Sequence, residues 1–233
     1  MAPNHRQLKM IVIAVIVVVA LIVISMMVKL LTTPNSIHEA VRAGSSNEIK
    51  LILLLQPGQL EEKDSLGCTP LHVAVLEGKA DMADLLLSKG ADIEARDRES
   101  QTPLHKAAGT NQAGMIDMLV ISGANINAKD KNDMTPLHWA CYRGNEAAIR
   151  ELIEHKANLN AGDKQLMTPI HVAVKRGEKA AVELLLDGGA DPNIRNKDGL
   201  TPLDTAQIRV RDEIAAILKA RGAKGYQDFE KIR

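Results

Sequence analysis

The feature that most limits the fold of this chain is a phrase that returns every 33 residues. Thr135–His138, "TPLH", also occurs at Thr69–His72 and Thr102–His105, and comes back with one change at Thr168–His171 and Thr201–Asp204. Self-similarity at a fixed period marks a repeat architecture and has to be settled before any other fold argument. Shifting the chain by 33 aligns whole columns. Ala74, Ala107, Ala140, Ala173 and Ala206 form one, and Leu86, Leu119, Leu152, Leu185 and Leu218 form another. A third holds Ala91, Ala124, Ala157, Ala190 and Ala223.

Each period reads as two short helices and an extended turn. The threonine can cap the first helix, and the proline suits its first turn, where a missing N–H does no harm. Gly78, Gly144 and Gly177 end that helix in their units, as expected of residues that enter the left-handed region freely. The second helix carries apolar residues at helical spacing, such as Val182, Leu185 and Leu186. Gly189–Ala190 closes it, and Asp191–Gly199 turns toward the next unit. No single unit has enough apolar surface to fold alone, so neighbours must stack. Only 2% of the 233 residues are aromatic, so the core is built from aliphatic residues, which suits small helices in close contact.

The period and the motif T-P-L-H-x-A, present as "TPLHVA", "TPLHKA", "TPLHWA" and, with Ile170, "TPIHVA", resemble the ankyrin repeat. The resemblance implies an all-α solenoid of stacked helix-turn-helix units. The specific motifs cover Thr69 to about Lys224, and "SIHEAVRAG" followed by "NEIKLILLL" fits a degenerate first unit that caps the stack. The resulting repeat domain is 36–224, in units 36–68, 69–101, 102–134, 135–167, 168–200 and 201–224. Departures from the pattern are informative. Val210 stands where the first helix normally ends in Gly, and a β-branched residue resists the left-handed conformation, so the last unit is expected to join its helices differently. Asn111 at the same place is tolerable. Lys156 replaces a helix-ending Gly, and Ser100 and Leu166 occupy turn tips where Gly67 and Gly199 stand in other units, which makes those tips suspect.

The front of the chain is different. Residues 1–9 form a short tail, and between Lys9 and Lys29 lie 19 uncharged residues, which as a helix span roughly 28 Å, close to the bilayer's hydrocarbon core. Residues 10–31 are therefore expected to form a transmembrane signal anchor, with 32–35 as a connector too short to hold the repeats far from the bilayer. A cleaved secretory signal is the rival reading; against it, the apolar run is long and no A-x-A-like site follows Ser25. Arg6 and Lys9 precede the span while Lys29 alone follows closely, which leans the repeats toward the extracytoplasmic side. At the other end, 225–233 carries Tyr226 and Phe229, three apart, in a tail that either folds back over the last unit or is disordered.

The chemistry is sparse. Equivalent side chains in stacked units stand about 8–10 Å apart, so His72, His105, His138 and His171 cannot share one metal ion; the resemblance implies that each bonds nearby backbone. Cys68 and Cys141, two units apart, lie too far from each other for a disulfide. No phosphate loop, nucleophile elbow, metalloprotease motif or paired-carboxylate constellation occurs, so no enzymatic activity and no cofactor are expected.

What the repeat leaves over is its variable surface. The resemblance implies a concave groove lined by turn tips and the first helices. One tip position holds Arg98, Lys131, Lys164 and Lys197; one helix position holds Arg143, Arg176 and Arg209, with Lys175 beside them. Met134, Met167 and Leu200 form a short apolar row, and Tyr142 lies nearby. Net charge is zero, and because the first 33 residues carry three basic groups and no acid, the repeats are slightly acidic overall. A basic groove with an apolar strip in such a domain suits an acidic segment of another protein. Nucleic acid is disfavoured by the lack of aromatics for stacking. The chain therefore reads as a monomeric, membrane-tethered protein-binding adaptor; a secreted effector and a structural subunit of a membrane complex are the alternatives.

Overall fold

The computed structural model describes residues 10, 13–23 and 36–225. Among these, all regular structure is helical. Twelve α-helices run in six pairs: α1 (Ile37–Ala43) and α2 (Ser46–Leu55), followed by a 3₁₀ turn at Pro57–Glu61; α3 (Pro70–Leu76) and α4 (Ala80–Ser88); α5 (Pro103–Gly109) and α6 (Ala113–Ile121); α7 (Pro136–Arg143) and α8 (Glu146–Glu154); α9 (Pro169–Arg176) and α10 (Lys179–Asp187); α11 (Pro202–Ile208) and α12 (Asp212–Ala220). First helices pack on first helices of adjacent units, α5 on α7 and α7 on α9, while second helices form the outer layer, α6 on α8 and α8 on α10. This is the solenoid that the period requires.

The alanine and leucine columns are the reason the stack closes. Ala74, Ala107, Ala140, Ala173 and Ala206 are wholly buried, as are Leu86, Leu119, Leu152, Leu185 and Leu218. Alanine on the first helix lets neighbouring backbones approach, and leucine on the second fills the space between layers. Burying a leucine is worth about 1.5–3 kcal/mol, so the leucine column is a large share of the drive to stack.

The suspect joints adopt the ordinary geometry. Val210 has φ 53° and Asn111 φ 59°, beside φ 67°, 68° and 84° at Gly78, Gly144 and Gly177. In every unit the same bond follows: Arg211 N–H donates to the Ala206 carbonyl at 2.9 Å, as Lys79 does to Ala74, Gln112 to Ala107, Asn145 to Ala140 and Glu178 to Ala173. The expectation that the last unit joins its helices differently is thus corrected. Stacking of α12 on α10 fixes where the chain must go, and the valine accepts the strain. Ser100, Asp133 and Leu166 likewise take φ 58°, 61° and 55° at the tips, and Lys156 takes φ 64° at its helix end.

Of the leading apolar segment, Met10 and residues 13–23 are described, as helix with exposed side chains. Among the described residues no helix is long and apolar enough to cross a membrane. The rest of the expected 10–31 span, the 32–35 connector, and Tyr226 and Phe229 lie outside the described residues.

Candidate functional site

The turn tips are built by one device that sequence reading missed. Asp64, Asp97, Asp130, Asp163 and Asn196 open successive tips. Each turns Oδ1 back to accept from the N–H two residues on and the N–H four residues on, at 2.7–3.0 Å. Acceptance from the chain's own backbone is what aspartate and asparagine do well in turns. The tips then join laterally: Arg98, Lys131, Lys164 and Lys197 donate their backbone N–H groups to Leu66, Glu99, Asn132 and Gln165 of the preceding tip. The tip bases are therefore held in register by the main chain, while their side chains stay exposed.

Beneath the tips runs a histidine row. In units two to five, Nδ1 of His72, His105, His138 and His171 accepts from the N–H of Thr69, Thr102, Thr135 and Thr168 at 3.0–3.2 Å. That acceptance fixes the proton on Nε2, which donates to the carbonyl of Gln101, Met134, Met167 or Leu200, 29 residues on, at 2.9–3.1 Å. His38 extends the row into the first unit, with Nε2 2.9 Å from the Cys68 carbonyl. Each histidine thus caps its own helix and ties it to the next tip, a longer reach than its own turn. Burial holds the four repeated imidazoles below the usual histidine range, with His105 at about 4. The row is structural, not ligating.

The two thiols are free and buried, and burial pushes both up, which removes nucleophilic character. Among the described residues one group could hold a metal ion: Asp117, Glu151 and His155, whose donor atoms lie within 4.8 Å of one another. His155 Nε2 bridges the two carboxylates, at 2.9 Å from Asp117 and 3.3 Å from Glu151.

The structure gathers half of the expected groove residues into one concavity of about 430 Å³, lined by Met134, Tyr142, Met167, Lys175, Arg176 and Arg209, together with Asp163 and Val172, which the sequence had not suggested. Tyr142 is its organising side chain. The Arg176 guanidinium carbon stands 4.5 Å from the ring centroid, its Nε donates to the Tyr142 carbonyl at 3.2 Å, and Arg143 approaches the ring at 5.9 Å. Trp139 packs edge-on against the same ring, centroids 5.8 Å apart. A guanidinium over an aromatic face is oriented without being neutralised, so Arg176 keeps donors for an incoming acceptor.

The remaining residues behave otherwise. Lys131 is ion-paired to Glu99, so that rung of the expected basic ladder is internally compensated. Arg98, Lys164, Lys197 and Leu200 do not line the concavity. Lys106 pairs with the buried Asp97 at 2.5 Å; burial raises Asp97, but the lysine and the backbone donors outweigh it and hold the carboxyl below its usual range.

Comparison with known proteins agrees with this architecture. The chain matches the family described as ankyrin repeats (3 copies) over residues 37–130 and 114–196. Across 56 residues it is 39% identical to protein phosphatase 1 regulatory subunit 27 of Homo sapiens, and equally to that of Mus musculus. That stretch is 24% of this chain and 36% of each relative, so the match spans about a third of their length. The repeats mark a protein-interaction scaffold. With its period, caps and stacked pairs, this chain belongs to the ankyrin repeat family.

Proposed function

We propose that this protein is a membrane-tethered, non-catalytic adaptor that holds an acidic segment of another protein in the concave groove between units four and six. The observation that carries the reading is the cationic rim of that groove. Arg176 is fixed on Tyr142, with Lys175 and Arg209 beside it, above an apolar floor of Met134 and Met167. Oriented guanidinium groups pair carboxylates in a forked geometry that a mobile lysine does not supply. The relatives named above are regulatory subunits by name, which agrees with an adaptor role.

The tether rests on the composition of residues 10–31, and the lean of the repeats toward the extracytoplasmic face rests on Arg6 and Lys9 ahead of the span. A reporter fused at the carboxyl terminus, active on one side of the membrane only, tests both; activity on the cytoplasmic side would reverse the orientation. The groove is tested by reversing Arg143, Arg176 and Arg209 to Glu together. Co-purified partners should be lost while the helical circular dichroism and melting curve stay in place. Partners retained in full by the triple variant would rule the groove out.

A further inference from the structure

The repeats contain their own template for what fills the groove. In the four tips that open with aspartate, Oδ1 is spent on backbone, leaving Oδ2 for a side chain. Asp64 faces Arg42 at 3.8 Å, Asp97 takes the Lys106 ammonium, and Asp130 takes the indole N–H of Trp139 at 2.9 Å. Lys106 and Trp139 are one position in successive units, the fourth residue of the first helix. In the second and fifth units that position is Val73 and Val172, which have no donor and much shorter side chains; in the second unit Arg42 stands in for the missing donor. In the fifth, Asp163 accepts from the Gln165 and Met167 backbone, and among the described residues no side chain donates to it. The volume that Trp139 and Lys106 occupy in their units lies open in the fifth as the groove itself, with Asp163 and Val172 both lining it.

We infer that this vacancy is a recognition pocket for a tryptophan of the bound segment: its indole N–H donates to Asp163 Oδ2, its ring lies over Val172 between Met134 and Met167, and neighbouring carboxylates of the segment meet Arg176 and Arg209. Charge complementarity selects this occupant. The basic rim rejects a cationic side chain such as lysine, which Asp163 alone would accept, whereas a neutral ring with one donor satisfies the carboxylate without facing the arginines. The groove's volume exceeds that of one side chain and leaves room for flanking residues. A buried indole usually finds a partner for its N–H, and a carboxylate acceptor strengthens that bond.

The inference rests on the groove reading above but fails separately from it. The probes are two ¹⁹F-labelled peptides, acetyl-Glu-(5-fluoro-Trp)-Glu-amide and its 4-fluoro-Phe counterpart, titrated by ¹⁹F NMR into the full chain in detergent micelles. The tryptophan peptide should bind saturably and about tenfold more tightly than the phenylalanine peptide, the value of one charge-assisted hydrogen bond in a half-open site. Asp163→Asn should erase that difference with the tip intact, because Asn196 makes the same two backbone bonds in its own tip. Val172→Trp rebuilds the fourth unit's arrangement in the fifth and should abolish binding while adding a second indole emission to that of Trp139. Equal binding of the two peptides, no binding of either, or a difference that survives Asp163→Asn would overturn the pocket. Loss of partners in the arginine triple variant would still uphold the groove in each of those cases. Should Val172→Trp fail to fold, Asp163→Asn decides alone.

Discussion

The histidine row and the turn joints of this solenoid are both repeated every unit, yet they tolerate sequence change very differently. Histidine recurs at four successive helix starts, with its bonds reproduced to within a few tenths of an ångström. The joints keep one backbone shape while the residue drifts from Gly to Asn to Val, and at the tips from Gly to Ser, Asp and Leu. The row is buried and spans two units, so any replacement loses hydrogen bonds on both sides and leaves a buried threonine N–H unmet. Most of the joints are at least partly open to solvent, and a wrong residue there costs its own backbone strain and, at Gly144 or Gly177, a clash with one neighbouring side chain. Repetition of shape is therefore imposed by stacking, and repetition of sequence survives where a bond crosses between units or a side chain is wholly buried in the stack, as in the alanine and leucine columns.

The largest expected effect lies in the row. His138→Ala would leave the Thr135 N–H without its partner, take one of two donors from the Met167 carbonyl, which still accepts from the Asp163 N–H, and open a hole in a fully buried site. A buried orphan costs about 1–3 kcal/mol and the lost bond to the carbonyl about 1 kcal/mol more, so with the hole a loss of about 3–4 kcal/mol is expected in urea unfolding. Asp204, in the last described unit, makes the capping bonds of the device, with Oδ2 accepting from the Thr201 N–H and hydroxyl. Asp204→Ala should lose about 1 kcal/mol, the worth of a cap. A loss at His138 no larger than about 1 kcal/mol, the worth of a cap alone, would show that the tie to the next tip contributes nothing.

Acid probes the same row without mutation. Burial lowers the folded-state values of His72, His105, His138 and His171 below the ordinary 6.5, so between the two values the unfolded chain binds more protons. Stability is then full above about pH 6.5 and falls as pH drops toward the folded values, near 4 for His105. For His105 alone this shift corresponds to about 3 kcal/mol. Thermal melts from pH 7.5 to 4.5 should show a steep decline with its onset near 6.5. His105→Gln should flatten part of it, and a decline confined to below pH 4 would assign acid lability to carboxylates instead.

Much of this was legible in the sequence, for a physical reason. The alanine and leucine columns and the Thr-Pro caps are local rules repeated in register, so the period alone placed the helices, the stack and the groove's first helices. The tip aspartates escaped notice because their work is done on backbone N–H groups, which leave no mark in side-chain patterning. Glu99 neutralising Lys131 escaped because pairing between tips depends on lateral register. The Asp163–Val172 vacancy is visible only once Asp130 and Trp139 are seen touching, since nothing in the letters D and W nine residues apart announces a bond. Val210 was misjudged because propensity was weighed without the packing of α11 and α12 that overrides it.

That override sets the smallest and sharpest test. Val210 is 75% exposed and sits at φ 53°, so its side chain contributes little packing while its backbone carries a left-handed cost of about 1–2 kcal/mol. Glycine removes that cost but gives the unfolded chain more freedom, worth up to about 1 kcal/mol. The balance favours Val210→Gly by about 0.5–1 kcal/mol, a shift small enough to need denaturant midpoints from matched preparations. The converse exchange at the equivalent Gly144 should lose more than this gain, because a Cβ there would also collide with the Glu178 carboxylate, which must move. If Val210→Gly proved neutral or destabilising, the valine would be held by contacts of its own, and the joints would have to be ranked with the histidine row as positions where the stack reads the residue and not only the shape.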